Sequence, residues 1–363
     1  MVNGLRVAVV GGGIAGLSVA AFLCRAGIAS TVYEQAAGPV EEGAGIQLSP
    51  NGTRLLHRAG LAGHLSRHAV RPEAVEVRHW RGDRILARTE LGTACVARYG
   101  APYYTLRRAR LRQGLLDLVT GNGLTAVRTG RRVVGIAELP DQVRLRFADG
   151  SVAGADLLIG ADGLHSVVRR ALVTDRIRYS GLTVRRGLVR AGRLPGVGNR
   201  VLVWLGPDRH VVCYPLPDGW VNVVAIAPHV GAAYADWPDT VRAAVAELGP
   251  PVARPLYDRA PLARWRTRRI ALAGDAAHPL LPFAAQGANQ AIEDAATLAA
   301  VLGTGAAGVP AALDRYERVR LPRLARVRDL IAENVADPDA PVRPAEGLAA
   351  REWLYAYDAE RAA

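Results

Sequence analysis

Residues 7–34, VAVVGGGIAGLSVAAFLCRAGIASTVYE, decide the fold. The pattern predicts an apolar strand over 6–10, a glycine-rich turn over 11–16, a helix over 17–26 and a second strand over 30–34. A strand that turns through glycines into a helix, followed by another strand, is the opening unit of a Rossmann-like α/β sheet.

Three glycines of this turn, Gly11, Gly13 and Gly16, have the spacing of a dinucleotide-binding fingerprint. Gly11 permits the tight turn, Gly13 lets a pyrophosphate approach the backbone, and Gly16 lets the helix pack closely on the strand. The helix N-terminus offers N–H groups and a positive dipole end to that anion. Glu34, eighteen residues after Gly16, is spaced to accept hydrogen bonds from a ribose diol. We expect a bound dinucleotide; the alternative is a tight turn without a ligand.

The composition indicates a globular protein with room for two domains. The chain has 363 residues, 50% of them hydrophobic, which is enough for a large core. All 46 basic residues are arginine and the net charge is +13. Because the arginines are scattered and no nucleic-acid motif accompanies them, we expect a small anionic ligand rather than nucleic acid.

The cysteines and the apolar segments favour a cytoplasmic protein. Cys24, Cys95 and Cys213 have neither metal-site nor disulfide spacing, which fits a reducing compartment. The apolar run 7–23 is interrupted by four glycines, and we interpret it as a strand and a helix rather than a signal or membrane segment. We therefore expect no membrane partner.

Two sequence patterns alternate along the chain. An α/β pattern alternates with short β-rich segments broken by turn residues. We predict a discontinuous nucleotide-binding domain, a mainly antiparallel β-sheet domain interleaved with it, and a linker with a C-terminal helix. In that order they comprise residues 1–73, 99–178 and 264–335; residues 74–98 and 179–263; and residues 336–363.

Two further stretches have the same strand–turn–helix character. They are DLLIGADGLHSVVR, residues 156–169, and IALAGDAAHPLLPFAAQGANQAIEDA, residues 270–295. With the first fingerprint they resemble the FAD-dependent aromatic monooxygenases, single-component flavoprotein hydroxylases, and most closely their salicylate-hydroxylase-like branch. Four more stretches carry the resemblance over nearly the whole chain: GAGIQLSPN at 43–51, YGAPYYTLRRARL at 99–111, GPDRHVVCYPL at 206–216 and REWLYAYD at 351–358.

The resemblance implies a Rossmann-like FAD-binding domain and a set of cofactor contacts. Asp275 would bind the ribityl chain, Arg108 would meet the pyrophosphate, and Val133 would meet the adenine. Because Arg107 precedes Arg108, a slip of one residue stays open. The full set of implied FAD contacts is Gly11, Gly13, Ala15, Gly16, Glu34, Gln35, Gln47, Arg108, Val133, Asp162, Gly163, Asp275, Pro282, Gly287, Ala288 and Asn289.

The loop after Asp275 would lie against the flavin ring. The helix that begins near Gly287 would direct its N-terminal dipole at the pyrimidine end of the ring. His278 is interpreted as structural, since the resemblance implies no base there. It has no second metal ligand at useful spacing, and we predict no metal site.

The strand His210-Val-Val-Cys-Tyr214 supplies the candidate catalytic pair. Residues four apart on a strand share a face, so His210 and Tyr214 point one way while Val211 and Cys213 point the other. The resemblance implies that this strand lines the substrate pocket. A phenol reacts better as a phenolate, which makes His210 the candidate base and Tyr214 its companion. The alternative is a pair that caps a sheet edge.

Substrate contacts are predicted at Gln47, Phe283, Arg185 and Arg186. The two arginines could hold a carboxylate as a bidentate partner, or they could be solvated. No second dinucleotide fingerprint is present, which agrees with transient NADH or NADPH binding on the surface.

The implied reaction uses NAD(P)H and O2 to hydroxylate an electron-rich aromatic or heteroaromatic molecule through a flavin C4a-hydroperoxide. The chemistry belongs to FAD, and the protein orients the ring and excludes water. A flavin-dependent halogenase shares this fold but needs a lysine to relay hypohalous acid. It is excluded, since the chain has no lysine. An epoxidase or other tailoring oxygenase on a polycyclic compound, a non-redox cyclase or isomerase, and a non-enzymatic flavoprotein stay open, as does a homodimer.

Overall fold

The computed structural model describes most of the chain. The described residues are 4–38, 44–229, 231–249, 254–304, 308–335 and 348–363.

These residues form seventeen strands and eleven α-helices. The strands are β1 (Val7–Val10), β2 (Ser30–Tyr33), β3 (Gly45–Leu48), β4 (Ala74–His79), β5 (Ile85–Glu90), β6 (Tyr104–Arg107), β7 (Thr125–Arg128), β8 (Val133–Glu138), β9 (Val143–Phe147), β10 (Val152–Ala155), β11 (Leu157–Gly160), β12 (Arg178–Arg190), β13 (Arg200–Leu205), β14 (His210–Leu216), β15 (Trp220–Ala227), β16 (Arg254–Asp258) and β17 (Ile270–Leu272). The helices are α1 (Ile14–Arg25), α2 (Pro50–Leu56), α3 (Ala62–His68), α4 (Gly92–Tyr99), α5 (Arg108–Thr120), α6 (Val167–Leu172), α7 (Asp239–Ala246), α8 (Gly287–Gly303), α9 (Gly308–Val335), α10 (Glu352–Tyr355) and α11 (Ala359–Ala362).

A five-stranded parallel sheet carries the nucleotide-binding turn. Its order is β17-β11-β1-β2-β7, and every neighbouring pair is parallel. The strand β1 lies in the centre of this sheet and is fully buried. The helix α1 packs against both α5 and α8. Because parallel strands end at the same edge, the turns that follow β1, β11 and β17 meet there. All three glycine-rich motifs of the sequence therefore come together.

A seven-stranded sheet faces this edge. Its order is β16-β12-β15-β14-β13-β4-β5, antiparallel throughout except between β13 and β4. One face packs on α7 through Trp204, Trp237 and Val241, and the other looks toward the parallel sheet. Two smaller sheets, β3-β6 and β10-β9-β8, complete the fold.

The predicted fold class is confirmed, and some element assignments change. The first helix begins at Ile14, three residues before its predicted start. The predicted strand-rich segment 74–98 ends in a helix, α4, because the strands stop at Glu90. The segment 179–263 likewise includes the helix α7. Residues 336–347, where the predicted linker begins, lie outside the described residues.

No described helix is both long and apolar enough to cross a membrane.

Candidate active site

A cleft of about 970 Å³ lies between the edge of the parallel sheet and the open face of the seven-stranded sheet. Most of the predicted site residues line it. The predicted cofactor contacts on its wall are Gly11, Gly13, Ala15, Glu34, Gln35, Gln47, Arg108, Val133, Asp162, Gly163, Asp275, Pro282, Gly287 and Ala288, and the predicted catalytic and substrate residues there are His210, Tyr214, Arg186 and Phe283.

The turn after β1 is a cradle built by glycines. Gly11 has φ 107°, a left-handed conformation that favours glycine. A Cβ on Gly16 would lie 1.9 Å from the carbonyl oxygen of Gly11, so the helix can approach the strand only without a side chain. A Cβ on Gly13, the N-cap of α1, would meet nothing within 4 Å. The helix N-terminus therefore opens onto space that an anion can occupy.

Glu34 closes the outer side of this cradle. Its two carboxylate oxygens accept hydrogen bonds from the N–H of Gly12 at 2.6 Å and of Ala36 at 2.8 Å. The backbone thus fixes the carboxylate at the cleft wall beside Gln35, at the end of the strand where a ribose would lie.

The Asp162 side chain organises the second strand–turn–helix motif, residues 156–169. It accepts hydrogen bonds from the Ser166 hydroxyl at 2.5 Å and the Val167 N–H at 2.6 Å, at the start of α6. Burial nevertheless raises the pKa of Asp162 above its ordinary value. Gly163, at φ 75°, turns the backbone along the cleft.

Asp275 follows β17 and is surrounded by protein, although its side chain is exposed to the cleft. Burial raises the pKa of its carboxyl, and His278 and Arg108 oppose that rise. The preceding Gly274 takes φ 59°, and its N–H donates to the Asp294 carboxylate at 2.8 Å. The turn is therefore held from behind while Asp275 is presented to a ligand.

His278 belongs to that support and does not face the cleft. Its Nε2 lies 2.5 Å from Oδ2 of Asp294, and Arg320 donates to Oδ1 of the same carboxylate at 2.8 Å. Burial alone would raise the pKa of Asp294, but His278 and Arg320 lower it to about 2. His278 and Asp294 are both fully buried, which agrees with the prediction that His278 has a structural role.

The structure separates the two adjacent arginines at the start of α5. Arg108 lines the cleft, whereas the Arg107 guanidinium lies 5.5 Å from the centre of the Trp220 ring. Arg112, one helical turn after Arg108, also lines the cleft and donates to the carbonyl of Gly12 at 2.9 Å. The sequence interpretation missed Arg112, although spacing of four on a helix indicates a shared face.

His210 and Tyr214 face the cleft from the middle of the seven-stranded sheet. Their strand β14 is the fourth of seven, so the pair does not cap an edge. Val211 and Cys213 point into the opposite core. Burial lowers the pKa of His210 to about 4, with Asp208 opposing, so the imidazole is neutral near pH 7.

The phenol groups of Tyr214 and of the nearby Tyr103 are kept protonated. Burial raises the pKa of Tyr214, which Arg186 counteracts in part. The Tyr103 hydroxyl donates to Oε1 of Gln47 at 2.7 Å, and burial raises its pKa as well. Tyr103 lines the cleft but was not predicted, because nothing in its local sequence distinguishes it from a core tyrosine.

The structure corrects the prediction for Arg185. Adjacent residues on a strand point to opposite faces, so only one of Arg185 and Arg186 can reach the cleft. Arg186 does, and Arg185 turns away and donates to the carbonyl oxygen of Gly249 at 2.7 Å.

Gly16 and Asn289 also lie behind the cleft wall. The Asn289 side chain accepts from the Ser49 N–H at 3.1 Å and donates to the carbonyl of Ala285 at 2.9 Å. It joins the start of α8 to the loop before α2, and its predicted cofactor contact stays a prediction.

The C-terminal end of the described chain adds residues that were not predicted as site residues. Arg351, Leu354 and Tyr355 line the cleft. Arg351 and Tyr355 are four residues apart in a helical segment, a spacing that could have indicated their common face.

The cleft has two chemically distinct ends. At one end, N–H groups at the start of α1 and the side chains of Arg108 and Arg112 suit a pyrophosphate. At the other, Val203, Val212 and Val224 form an apolar floor beside His210. The glycine cradle, the acid at the end of β2 and Asp275 fit FAD, and the apolar floor fits a flat aromatic ring.

Comparisons with known proteins agree with this geometry. The family model for an FAD binding domain matches residues 4–191 and 256–330. The 3-amino-4-hydroxybenzoate 2-monooxygenase PtnB3 of Streptomyces platensis is 46% identical over 98% of this chain and 96% of its own length.

Two solved structures share the fold over almost the whole chain. Klebsiella pneumoniae HpxO, complexed with FAD and uric acid, has a TM-score of 0.82 and 28% identity, covering 99% of this chain and 95% of its own. A salicylate hydroxylase substrate complex has a TM-score of 0.79 and 26% identity, covering 99% of this chain and 97% of its own. The chain therefore belongs to the FAD-binding-domain family and is an FAD-dependent monooxygenase that uses NAD(P)H and O2 to hydroxylate an electron-rich aromatic or heteroaromatic small molecule.

Proposed function

We propose that the substrate is an aromatic acid bearing an amino and a hydroxyl group, and that the reaction is the 2-hydroxylation of 3-amino-4-hydroxybenzoate. The relative PtnB3, which carries that activity in its name, aligns with nearly the whole chain at 46% identity. The observation that carries the proposal is the His210–Tyr214 pair above an apolar floor, since such a site can bind and activate a phenol.

His210 is proposed to take the phenolic proton. Burial lowers the pKa of His210 to about 4, so the imidazole is neutral and can take up a proton, but it is a weak base. The phenolate that forms beside it therefore has to stabilise the imidazolium. Position 2 is next to the amino-bearing carbon and meta to the hydroxyl, so the amino group supplies the electron density for oxygen transfer there, and removal of the phenolic proton makes the ring as a whole more electron-rich. Tyr214, which stays protonated because burial raises its pKa, lies four residues further along the strand and donates a hydrogen bond to the other end of the substrate.

The cofactor-binding residues are proposed to act as the fold suggests. The backbone at Gly11 and Gly13 and the side chains of Arg108 and Arg112 hold the pyrophosphate, Glu34 holds a ribose, and Asp275 holds the ribityl chain. Bound FAD, after reduction by NAD(P)H, supplies the activation of O2 and the transfer of one oxygen atom. The residues of the chain exclude water from the cleft and orient the substrate ring.

We propose the two-domain division given by the sequence, with the FAD-binding part interrupted twice by the β-sheet part. We propose that the protein acts in the cytoplasm on a freely diffusing substrate, without nucleic acid or membrane as a partner. Whether it forms a homodimer is measured directly by light scattering of the purified flavoprotein.

Product analysis tests the function. The FAD-loaded protein is given 3-amino-4-hydroxybenzoate, O2 and either NADH or NADPH, and the products are identified by mass spectrometry and NMR. We expect one oxygen atom from labelled O2 at the ring position between the amino-bearing carbon and the carboxyl-bearing carbon. Rapid NAD(P)H oxidation that yields only hydrogen peroxide, or faster hydroxylation of an acid that lacks the amino group, would overturn the proposed substrate.

A further inference from the structure

We propose that Arg351 binds the carboxylate of the aromatic substrate. The inference rests on the proposed function, since it requires an aromatic acid, and it assigns the recognition of that acid to the C-terminal turn, residues 348–358, rather than to the seven-stranded sheet.

The C-terminal turn forms part of the cleft wall. Arg351 and Tyr355 both line the cleft, next to Tyr103. The ring of Tyr355 lies 6.3 Å from that of Tyr103, at an angle of 61°. These side chains meet the substrate half of the cleft, since Tyr103 is hydrogen-bonded to Gln47 and packs in the same cluster as Tyr214.

Two arginines from the body of the protein hold this turn in place. Arg323 donates to the carbonyl oxygens of Trp353 at 2.9 Å and Leu354 at 3.0 Å. Arg54 donates to the carbonyl oxygen of Tyr357 at 3.0 Å. These carbonyls lie at the end of the short helix α10, where intrahelical partners run out. The guanidinium of Arg351 therefore extends from a fixed backbone.

The described part of the chain provides no counter-ion for Arg351. Among the described residues, no ion pair or hydrogen bond involves its guanidinium, and the side chain is half-buried. Its neighbours Tyr103 and Tyr355 are neutral, because burial raises the pKa of both, that of Tyr355 to about 12. A cation against neutral phenol groups in a partly dry wall suits a carboxylate, which it can bind in a bidentate manner.

The position of Arg351 also fits the shape of the proposed substrate. In 3-amino-4-hydroxybenzoate the carboxylate and the hydroxyl lie at opposite ends of the ring. His210 and Tyr214 are four residues apart on β14, a separation of roughly 13 Å along the strand. Arg351 is assigned to the Tyr214 end, because Tyr355 of the same turn packs in one cluster with Tyr103 and Tyr214. A ring bound between Arg351 and His210 presents its carboxylate to the cation and its phenol to the base.

Arg186 is the competing cation. It is in register with Val224 and, across β15, with Val212, which puts it between the rows of the sheet that contain His210 and Tyr214. A carboxylate bound there would direct the ring toward the middle of the floor rather than along the line from Arg351 to His210. Only the substitution of the arginine that binds the carboxylate should therefore weaken binding of the acid selectively.

Ligand titrations of the FAD-loaded protein separate these cases. The flavin absorbance change is followed while 3-amino-4-hydroxybenzoate or 2-aminophenol, the same ring without its carboxylate, is added to the wild type, Arg351→Gln, Arg186→Gln and Arg98→Gln. We expect Arg351→Gln to raise the Kd of the acid by roughly 10- to 100-fold, the usual range for a lost charge-assisted pair. The Kd of 2-aminophenol should change less than about twofold. Arg98, an exposed residue that pairs with Glu352 on the same turn, is the matched control and should change neither constant.

The assignment would be overturned by equal loss of affinity for both ligands in Arg351→Gln, by no loss for either ligand, or by selective loss of acid binding in Arg186→Gln alone. A wild type that binds the acid no more tightly than 2-aminophenol has the same consequence. If the acid binds selectively through Arg351 but no hydroxylated product forms, the proposed function fails and the carboxylate site stands. An unchanged FAD-to-protein ratio in each variant shows that the cofactor site is intact.

Discussion

The imidazole of His210 and the ring of Phe283 lie with their centroids 4.9 Å apart and their planes at 55°. His210 comes from β14, and Phe283 comes from the loop between β17 and α8. The contact therefore joins the seven-stranded sheet to the segment proposed to lie against the flavin. It packs the apolar face of the imidazole and contributes to the burial that keeps the ring neutral.

Replacement of His210 tests its role as a base. We expect His210→Gln to lower kcat by roughly 100- to 10,000-fold, the range for loss of general base catalysis, without changing FAD affinity. The loss should shrink for a fluorinated analogue, because its phenol ionises without help. Tyr214→Phe, measured beside it, should mainly raise KM. If His210→Gln lowered kcat equally for the parent substrate and for the fluorinated analogue, His210 would have a structural role.

The acid titration of His210 is a second, independent measurement. Burial lowers its pKa from 6.5 to about 4, so histidine-selective NMR, assigned with His210→Gln, should find a midpoint near pH 4. In the unfolded chain the ring takes up its proton near 6.5. Since the unfolded state then binds more protons, this residue costs stability increasingly as the pH falls from 6.5 toward 4, and not above 6.5. A midpoint near 6.5 in the folded protein would contradict the burial.

Two glycines of one turn should respond differently to alanine. Gly16→Ala puts a methyl group 1.9 Å from the Gly11 carbonyl oxygen, and we expect a loss of about 1–3 kcal/mol in unfolding free energy, as in overpacked sites. Gly13→Ala meets no protein atom within 4 Å and should leave the apoprotein stable while weakening FAD binding. Thermal denaturation of the apoprotein and FAD titration measure the two effects. Equal FAD affinity in Gly13→Ala and the wild type would argue against a pyrophosphate at this position.

The buried ion-pair cluster behind the Gly274–Asp275 turn should control stability. Arg320→Met leaves Glu293 and Asp294 with fewer buried cations, and we expect a loss of about 3–5 kcal/mol, typical for a broken buried pair. Urea denaturation measures it. The control, Arg6→Gln, removes an exposed pair with Asp156 and should barely move the urea midpoint. Similar midpoints for the two variants would show that the cluster contributes nothing beyond a surface pair.

The sequence predicted what depends on local pattern. The glycine fingerprint and the acid that follows it were enough to predict the strand–turn–helix unit. Alternation along 210–214 correctly predicted which side chains share a face, because the geometry of a strand is local.

What the sequence did not predict depends on contacts between distant segments. Arg185 and Arg186 must point apart, but which one faces the cleft is set by the pairing of β12 with β15, which no single strand encodes. Arg351 reaches the cleft only because Arg54 and Arg323 hold the turn that carries it. Arg54 lies about 300 residues before that turn, and no short motif joins them.

The C-terminal turn also has a consequence for biosynthesis. Leu354 and Tyr355 belong to the cleft wall, and the carbonyl of Tyr357 is what Arg54 contacts. The ribosome makes this turn after every other segment of the cleft wall, so the nucleotide-binding part can fold before the substrate part of the cleft is enclosed. A chain truncated just before Leu348 should still bind FAD and be yellow, but its reduced flavin would be open to water and NAD(P)H oxidation would yield hydrogen peroxide.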